Sequence, residues 1–153
     1  MDPDEAWARV RSARVARMAT VTPSNRPHVI PFVFALFERD PDRVVYWVVD
    51  RKPKRSRDLK RIRNLLENPA VEFVVDGYDE DWTRLWWVRC SGTARVVDDA
   101  RERHEALHAL QEKYKQYRDT PEDGPVVAVD IATIDGWAAR APRPPRPSAA
   151  PPA

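Results

Sequence analysis

Three β-rich runs crowd into residues 18–49 with only turns between them, and that crowding limits the fold more than any other feature of the chain. Met18 to Thr22 and His28 to Phe37 flank Pro23-Ser24-Asn25-Arg26-Pro27, and Asp40-Pro41-Asp42 separates the second run from Val44–Val49. Parallel neighbours need a crossover of roughly a dozen residues, so these strands must be antiparallel hairpins. Pro31 lies inside the second run; it has no N–H for a ladder and belongs at an edge or a bulge.

The rest of the chain adds three more strands and three helices. Asp2-Pro3-Asp4-Glu5 has the order of a helix start, with cap, proline and first-turn acids, and Trp7 and Val10 carry an apolar stripe to about Val15. A second helix runs from Ser56 to Glu67 on Leu59, Ile62, Leu65 and Leu66, and Asn68-Pro69 stops it. Val71–Tyr78 and Leu85–Val97 read as strands around the acidic turn Asp79-Glu80-Asp81, with Gly92 as a bulge. Ala100, His104, Leu107, Leu110, Tyr114 and Tyr117 predict a long helix over Asp99–Tyr117. Val126–Ile134 is the last strand, closed by Gly136-Trp137. Six strands in hairpin order with one short and one long helix between them predict a mostly β, α+β fold: a six-stranded antiparallel barrel with flanking helices, over residues 1–137. Residues 138–153 are only Ala, Pro, Arg and one Ser, which cannot pack a core and are expected to be a disordered tail.

At 153 residues the chain has room for one domain. Its longest apolar run, Val29–Phe37, is far short of the roughly 20 residues that span a bilayer, and the acidic start is unlike a secretory leader. The expected compartment is therefore the cytoplasm. Cys90, the single cysteine, excludes an internal disulfide and a cysteine-based zinc site. His104 and His108 stand four apart on a helix, but His104 lies on the apolar stripe, so packing is the better reading and no metal site is expected.

The net charge of +2 hides a sharp asymmetry. Residues 51–63 hold eight basic side chains against Asp58 alone, so this segment is +7 and the remaining 140 residues sum to −5. A cationic loop running into a helix start offers unpaired N–H groups, a helix dipole and cations to a phosphate. A nucleic-acid surface is unlike this, since it asks for a wider basic face than one patch on an acidic body. Glycines stand only at 77, 92, 124 and 136, so no glycine-rich phosphate loop exists. Trp82, Trp86 and Trp87 cluster after the acidic turn; alternation turns Trp86 and Trp87 to opposite faces, while Trp82 in the turn is free to cover a flat ring.

In this order the motifs resemble the split β-barrels of the pyridoxamine 5′-phosphate oxidase-like superfamily, and most of all its branch of coenzyme F420-dependent oxidoreductases. The matching residues are Met18-Ala19-Thr20-Val21, Arg26-Pro27-His28-Val29-Ile30-Pro31, Lys52-Pro53-Lys54-Arg55 through Arg63-Asn64-Leu65, Asn68-Pro69 and Val74-Val75-Asp76. Asp79-Glu80-Asp81-Trp82, Gly92-Thr93-Ala94 and Tyr114 through Tyr117 complete them. The resemblance implies an FMN-binding-like split barrel and a homodimer with two cofactor sites at the subunit interface. It places cofactor-phosphate cations at Lys60 and Arg61 with Asn64 close by, and a cationic rim at Lys54 and Arg55. It sets Pro31 and Val33 beside the ring and Trp82 and Thr83 on a loop that closes over it. The activity it implies is hydride transfer from reduced deazaflavin to an unsaturated or quinone-like small molecule, with no residue assigned a catalytic role. FMN in the same barrel, and F420 carriage without turnover, are the alternatives; the poly-anionic tail of F420 suits the cationic rim better than FMN does.

Overall fold

The computed structural model describes residues 1–39, 41–49, 57–120 and 124–139, and of residues 57–61 the backbone alone. Helix α1 spans Pro3–Ser12, with Pro3 in its first turn and the Asp2 carboxylate accepting the Glu5 N–H at 2.9 Å. This is the cap that the sequence order dictates. Ala6, Trp7 and Val10 are its buried face.

Seven strands form one sheet: β1 Ala16–Val21, β2 Pro27–Phe32, β3 Ala35–Arg39, β4 Asp42–Val48, β5 Ala70–Gly77, β6 Trp86–Val96 and β7 Val126–Ala138. Their order is β2-β1-β5-β6-β7-β4-β3, and every pairing is antiparallel. The six strands expected become seven because His28–Phe37 breaks at Val33-Phe34. The break has a visible cause. The Tyr114 hydroxyl accepts the Phe34 N–H at 3.2 Å and lies 2.9 Å from the Phe34 carbonyl, so both backbone groups leave the ladder. Pro31 sits, as expected, in the edge strand β2, opposite Arg17.

Strands β2 and β3 are the two edges of the sheet, yet only two residues join them. That is possible only if the sheet curls until its edges approach. The Phe32 ring on β2 accordingly lies 5.9 Å from Trp47 on β4 and 5.8 Å from Phe73 on β5. No ladder joins β2 to β3 among the described residues, so the barrel is split rather than closed. Its interior holds Met18, Phe34, Trp47, Phe73, Val88 and Cys90. Full burial of each large apolar side chain contributes roughly 1.5–3 kcal/mol. The expected bulge is present: Ser91 faces Thr133 but Gly92 faces Ile131, which skips Ala132. A Cβ on Gly92 would approach the Asp130 carbonyl oxygen to 2.4 Å.

Helix α3 (Ala100–Lys113) and the short α4 (Lys115–Asp119) cover the outer face of β3, β4 and β7. The single helix expected over Asp99–Tyr117 is thus two, since Tyr114 turns extended at φ −126° and ψ 122° to reach Phe34. Its packed face is Ala106, Leu110 and Tyr114, while Ala100 and His104 are exposed. His104 is therefore not a core residue. Helix α2 (Arg57–Glu67) packs Leu65 and Ile62 on the barrel core. Leu66, expected on that stripe, is 67% exposed, and Asn64 is buried in its stead. Among the described residues no helix is long and apolar enough to cross a membrane, and no group of metal-ligating side chains gathers.

Candidate functional site

Lys54 and Arg55 lie outside the described residues, as do the side chains of Lys60 and Arg61. The α2 backbone nevertheless sets Lys60 and Arg61 four and three residues before Asn64, which is one helical face. Asn64 is 2% exposed and its Nδ2 has no partner. A buried amide donor without an acceptor costs about 1–3 kcal/mol. On a face shared with two cations, it is the complement of a phosphate oxygen. Lys60, Arg61 and Asn64 are the donor types that a phosphate-bearing cofactor takes.

The other expected ring contacts stand elsewhere. Pro31 is exposed on the edge strand. Val33 is half-buried at the corner, packed against the cluster under α3. Trp82 and Thr83 form a single 3-10 turn with Arg84. The Trp82 side chain is 70% exposed. The Thr83 hydroxyl and N–H both donate to Asp81 Oδ1, at 2.7 and 3.0 Å, and hold that carboxyl below its ordinary range. These stations are not one constellation within the chain. Helix α2 hands over to β5 at Ala70, opposite Thr93, whereas Trp82 follows the far end of β5 beyond Gly77. The eight-residue strand between these two chain segments is roughly 25 Å long at ~3.3 Å per residue.

The sequence reading missed a cleft of about 500 Å³ at that far end, lined by Arg17, Val74, Asp76, Gly77, Tyr78, Leu85, Trp86, Trp87 and Trp137. Register builds it. Asp76 lies opposite Trp87 and Trp87 opposite Trp137, so these three side chains form one row across β5, β6 and β7. Arg17 Nη1 meets Asp76 Oδ1 at 2.7 Å and frames it. Gly77 admits the Trp86 indole, which a Cβ there would meet at 2.2 Å. The available signal was Tyr78 and Trp137, aromatic residues at strand ends in phase with Trp87. A larger crevice of about 900 Å³ lies between α3 and β4, lined by Tyr46, Arg95, Glu102 and Asp130 among others. Its charges satisfy one another: Arg95 meets Glu102 at 2.7 Å and Asp130 at 2.8 Å, and Tyr46 donates to Glu102 at 2.8 Å. Its central charges are thus spent on one another rather than on a ligand.

A curled antiparallel sheet left open between two edge strands, with a helix against its core, defines a split β-barrel. The pyridoxamine 5′-phosphate oxidase family model matches residues 3–138, and the chain belongs to that family. No curated protein matches the chain. Among solved structures it is similar to a conserved hypothetical protein of Mycobacterium tuberculosis, with 22% identity over 97% of this chain and 94% of that one and a TM-score of 0.71. An FAD-binding protein of Mycobacterium smegmatis shares 22% identity over 93% and 98%, with a TM-score of 0.65. The heme storage protein HutZ of Vibrio cholerae shares 15% over 89% and 93%, with a TM-score of 0.63. At these identities the likeness is one of fold.

Proposed function

We propose that this protein binds coenzyme F420 at the interface of a homodimer and serves hydride transfer to a small unsaturated or quinone-like acceptor. The observation that carries the reading is the face of α2, where Lys60 and Arg61, the end of a sequence segment of charge +7, accompany a buried, unpartnered Asn64. The FAD-binding neighbour supports a flat tricyclic ring on this fold. The separation of α2 from the Trp82 turn favours a site built from two copies, each supplying one station.

When bound, the reduced deazaflavin supplies the hydride. The chain's residues bind and orient it. Lys60 and Arg61 neutralise the phosphate, Lys54 and Arg55 extend that field along an anionic tail, and the Asn64 amide donates to a phosphate oxygen. Pro31 and Val33 offer apolar surface beside the ring, and the exposed Trp82 indole covers it and excludes water. The hydride leaves an anion on the acceptor, which takes its proton from the one the oxidised cofactor gives up or from water, and no residue of the chain is assigned to that transfer.

FMN on the same face is the second reading, favoured by the flavin ligand of the neighbour. Parallel titrations with F420 and FMN, read by ligand fluorescence, separate the two. For the Lys60→Ala, Arg61→Ala double variant the expected result is at least about a tenfold loss of F420 affinity. Tighter binding of FMN than F420 sinks the deazaflavin assignment. Binding of neither overturns the phosphate site on α2. Sedimentation at twice the 17.7 kDa chain mass is the expected assembly.

A further inference from the structure

The aromatic cleft at the far end of β5 offers about 500 Å³, within the roughly 300–1,000 Å³ of small-molecule sites. Register sets its rings. Trp87 on β6 lies opposite both Asp76 on β5 and Trp137 on β7, so the two indoles stand side by side on one face of the sheet. Trp86 turns the other way along β6, with the Arg9 guanidinium 4.6 Å over its ring. Its indole still reaches the cleft because Gly77 carries no side chain to stop it. Tyr78 and Leu85, on either side of the Trp82 turn, complete the wall.

We propose that this cleft is a ligand site in its own right, for a flat, uncharged, fused-ring aromatic small molecule. Charge decides the first property. Of the nine residues that line the cleft two are charged, Arg17 and Asp76, and they meet each other at 2.7 Å. An ionic guest therefore loses its water and finds no free counter-charge. Ring chemistry decides the second. Four of the nine are aromatic, and a flat ring gains from offset or edge-on contact with them beyond the area it buries, whereas a puckered guest gains the area alone. Size decides the third. A cube of that volume has an edge of about 8 Å, less than the roughly 10–12 Å diameter of a helix. The hollow takes a small molecule rather than an element of another protein. Its rings are open to solution, Trp137 at 46% and Tyr78 at 70% exposure, and apolar surface left in water inside a concavity is what such a guest covers. The site is built on β1, β5, β6 and β7 and uses none of the residues assigned to the cofactor.

The test is made on the full chain without cofactor, using N-phenyl-naphthylamine, a neutral aromatic dye that emits when it leaves water. Saturable emission, excited through nearby tryptophan, is expected. Anilinonaphthalene sulfonate, which has nearly the same rings and a negative charge, is expected to bind more weakly. Naphthol should displace the dye at lower concentration than decahydronaphthol, which has the same skeleton without its flatness. Trp137→Leu and Trp87→Leu keep an apolar side chain and remove the indole; each is expected to lower dye affinity roughly three- to tenfold. Val29→Ser removes an exposed apolar side chain outside the cleft and is expected to bind the dye as the parent does. Absence of saturable binding, equal or tighter binding of the sulfonate, or equal displacement by the two alcohols overturns the proposal. So does a loss in Val29→Ser as large as that in Trp137→Leu. Dissociation of a dimer by Trp137→Leu also overturns it, since the cleft is then covered by a second copy. Failure of the F420 reading leaves these outcomes untouched, because no step of the test contains the cofactor.

Discussion

The Tyr114 hydroxyl touches both backbone groups of Phe34, eighty residues earlier, at 3.2 Å from its nitrogen and 2.9 Å from its carbonyl oxygen. It also lies 2.8 Å from the Arg14 carbonyl. One hydroxyl proton serves two carbonyls in turn while the oxygen accepts from Phe34, which is itself fully buried. This contact lets the chain leave β2 and start β3 at the opposite edge of the sheet.

Tyr114→Phe removes the oxygen and strands a buried N–H and C=O at that corner. The expected cost is about 1–3 kcal/mol, read as a lower urea midpoint with unchanged slope. Amide exchange at Phe34 is expected to quicken more than at Val88, which has its ladder intact. Equal protection at both would show that the corner holds without Tyr114.

Beside that corner, Lys113 places its Nζ 4.1 Å from the Phe34 ring centre, buried and without a hydrogen-bond partner. Burial, helped by the Arg14 charge, lowers its pKa from 10.5 to about 8. The folded chain therefore binds fewer protons than the unfolded one between those values, and stability from this group rises with pH across that window. Below pH 8 both states carry the charge and the full penalty is felt. Lys113→Met is expected to raise stability at pH 7 by on the order of 1–2 kcal/mol, discounting for partial exposure. The gap between variant and parent should close by pH 10.5. A gap that does not depend on pH would assign the gain to packing.

Glu102 has the opposite sign. Its hydrogen bonds from Arg95, opposed by burial and joined by the Tyr46 hydroxyl, hold its carboxyl below the ordinary value of 4.5. A lowered carboxylate stabilises the fold above its unfolded pKa and ceases to do so as pH falls through the folded one. Glu102→Gln should cost about 1 kcal/mol at pH 7, and parent and variant should converge in acid. A thermal-unfolding series from pH 7 to pH 2 reads this directly.

Much of this was legible because local rules and tertiary packing agree. Asp2-Pro3 caps α1 as written, Pro31 falls on an edge, and Gly92 meets a bulge because a Cβ would strike the Asp130 carbonyl. What escaped depends on distant partners. The strand break at Val33-Phe34 is imposed by Tyr114, and no local signal marks it. The phase of α3 differs from the expected one because Ala100 and His104 continue the apolar spacing in sequence, whereas the face that packs runs through Ala106, Leu110 and Tyr114. On α2, hydropathy put Leu66 inside, whereas the barrel end takes Asn64. The aromatic cleft assembles from three strands, and only their register reveals that Trp87 and Trp137 are neighbours.

That exchange of Leu66 for Asn64 gives the sharpest test of the binding face. A polar side chain 2% exposed with an unpartnered Nδ2 is a liability for the free protein. If its purpose is to meet a phosphate, it trades stability for function. Asn64→Leu should then raise the melting temperature of the free protein, by the equivalent of roughly 1–3 kcal/mol for relief of a buried unsatisfied donor. The same change should weaken F420 binding by about tenfold, the worth of one charge-assisted hydrogen bond. Two scans and two titrations decide the matter. A higher melting temperature with unchanged affinity removes Asn64 from the site and leaves the phosphate to Lys60 and Arg61. A lower melting temperature shows that the amide already has a structural role, and its missing partner then no longer points to a phosphate.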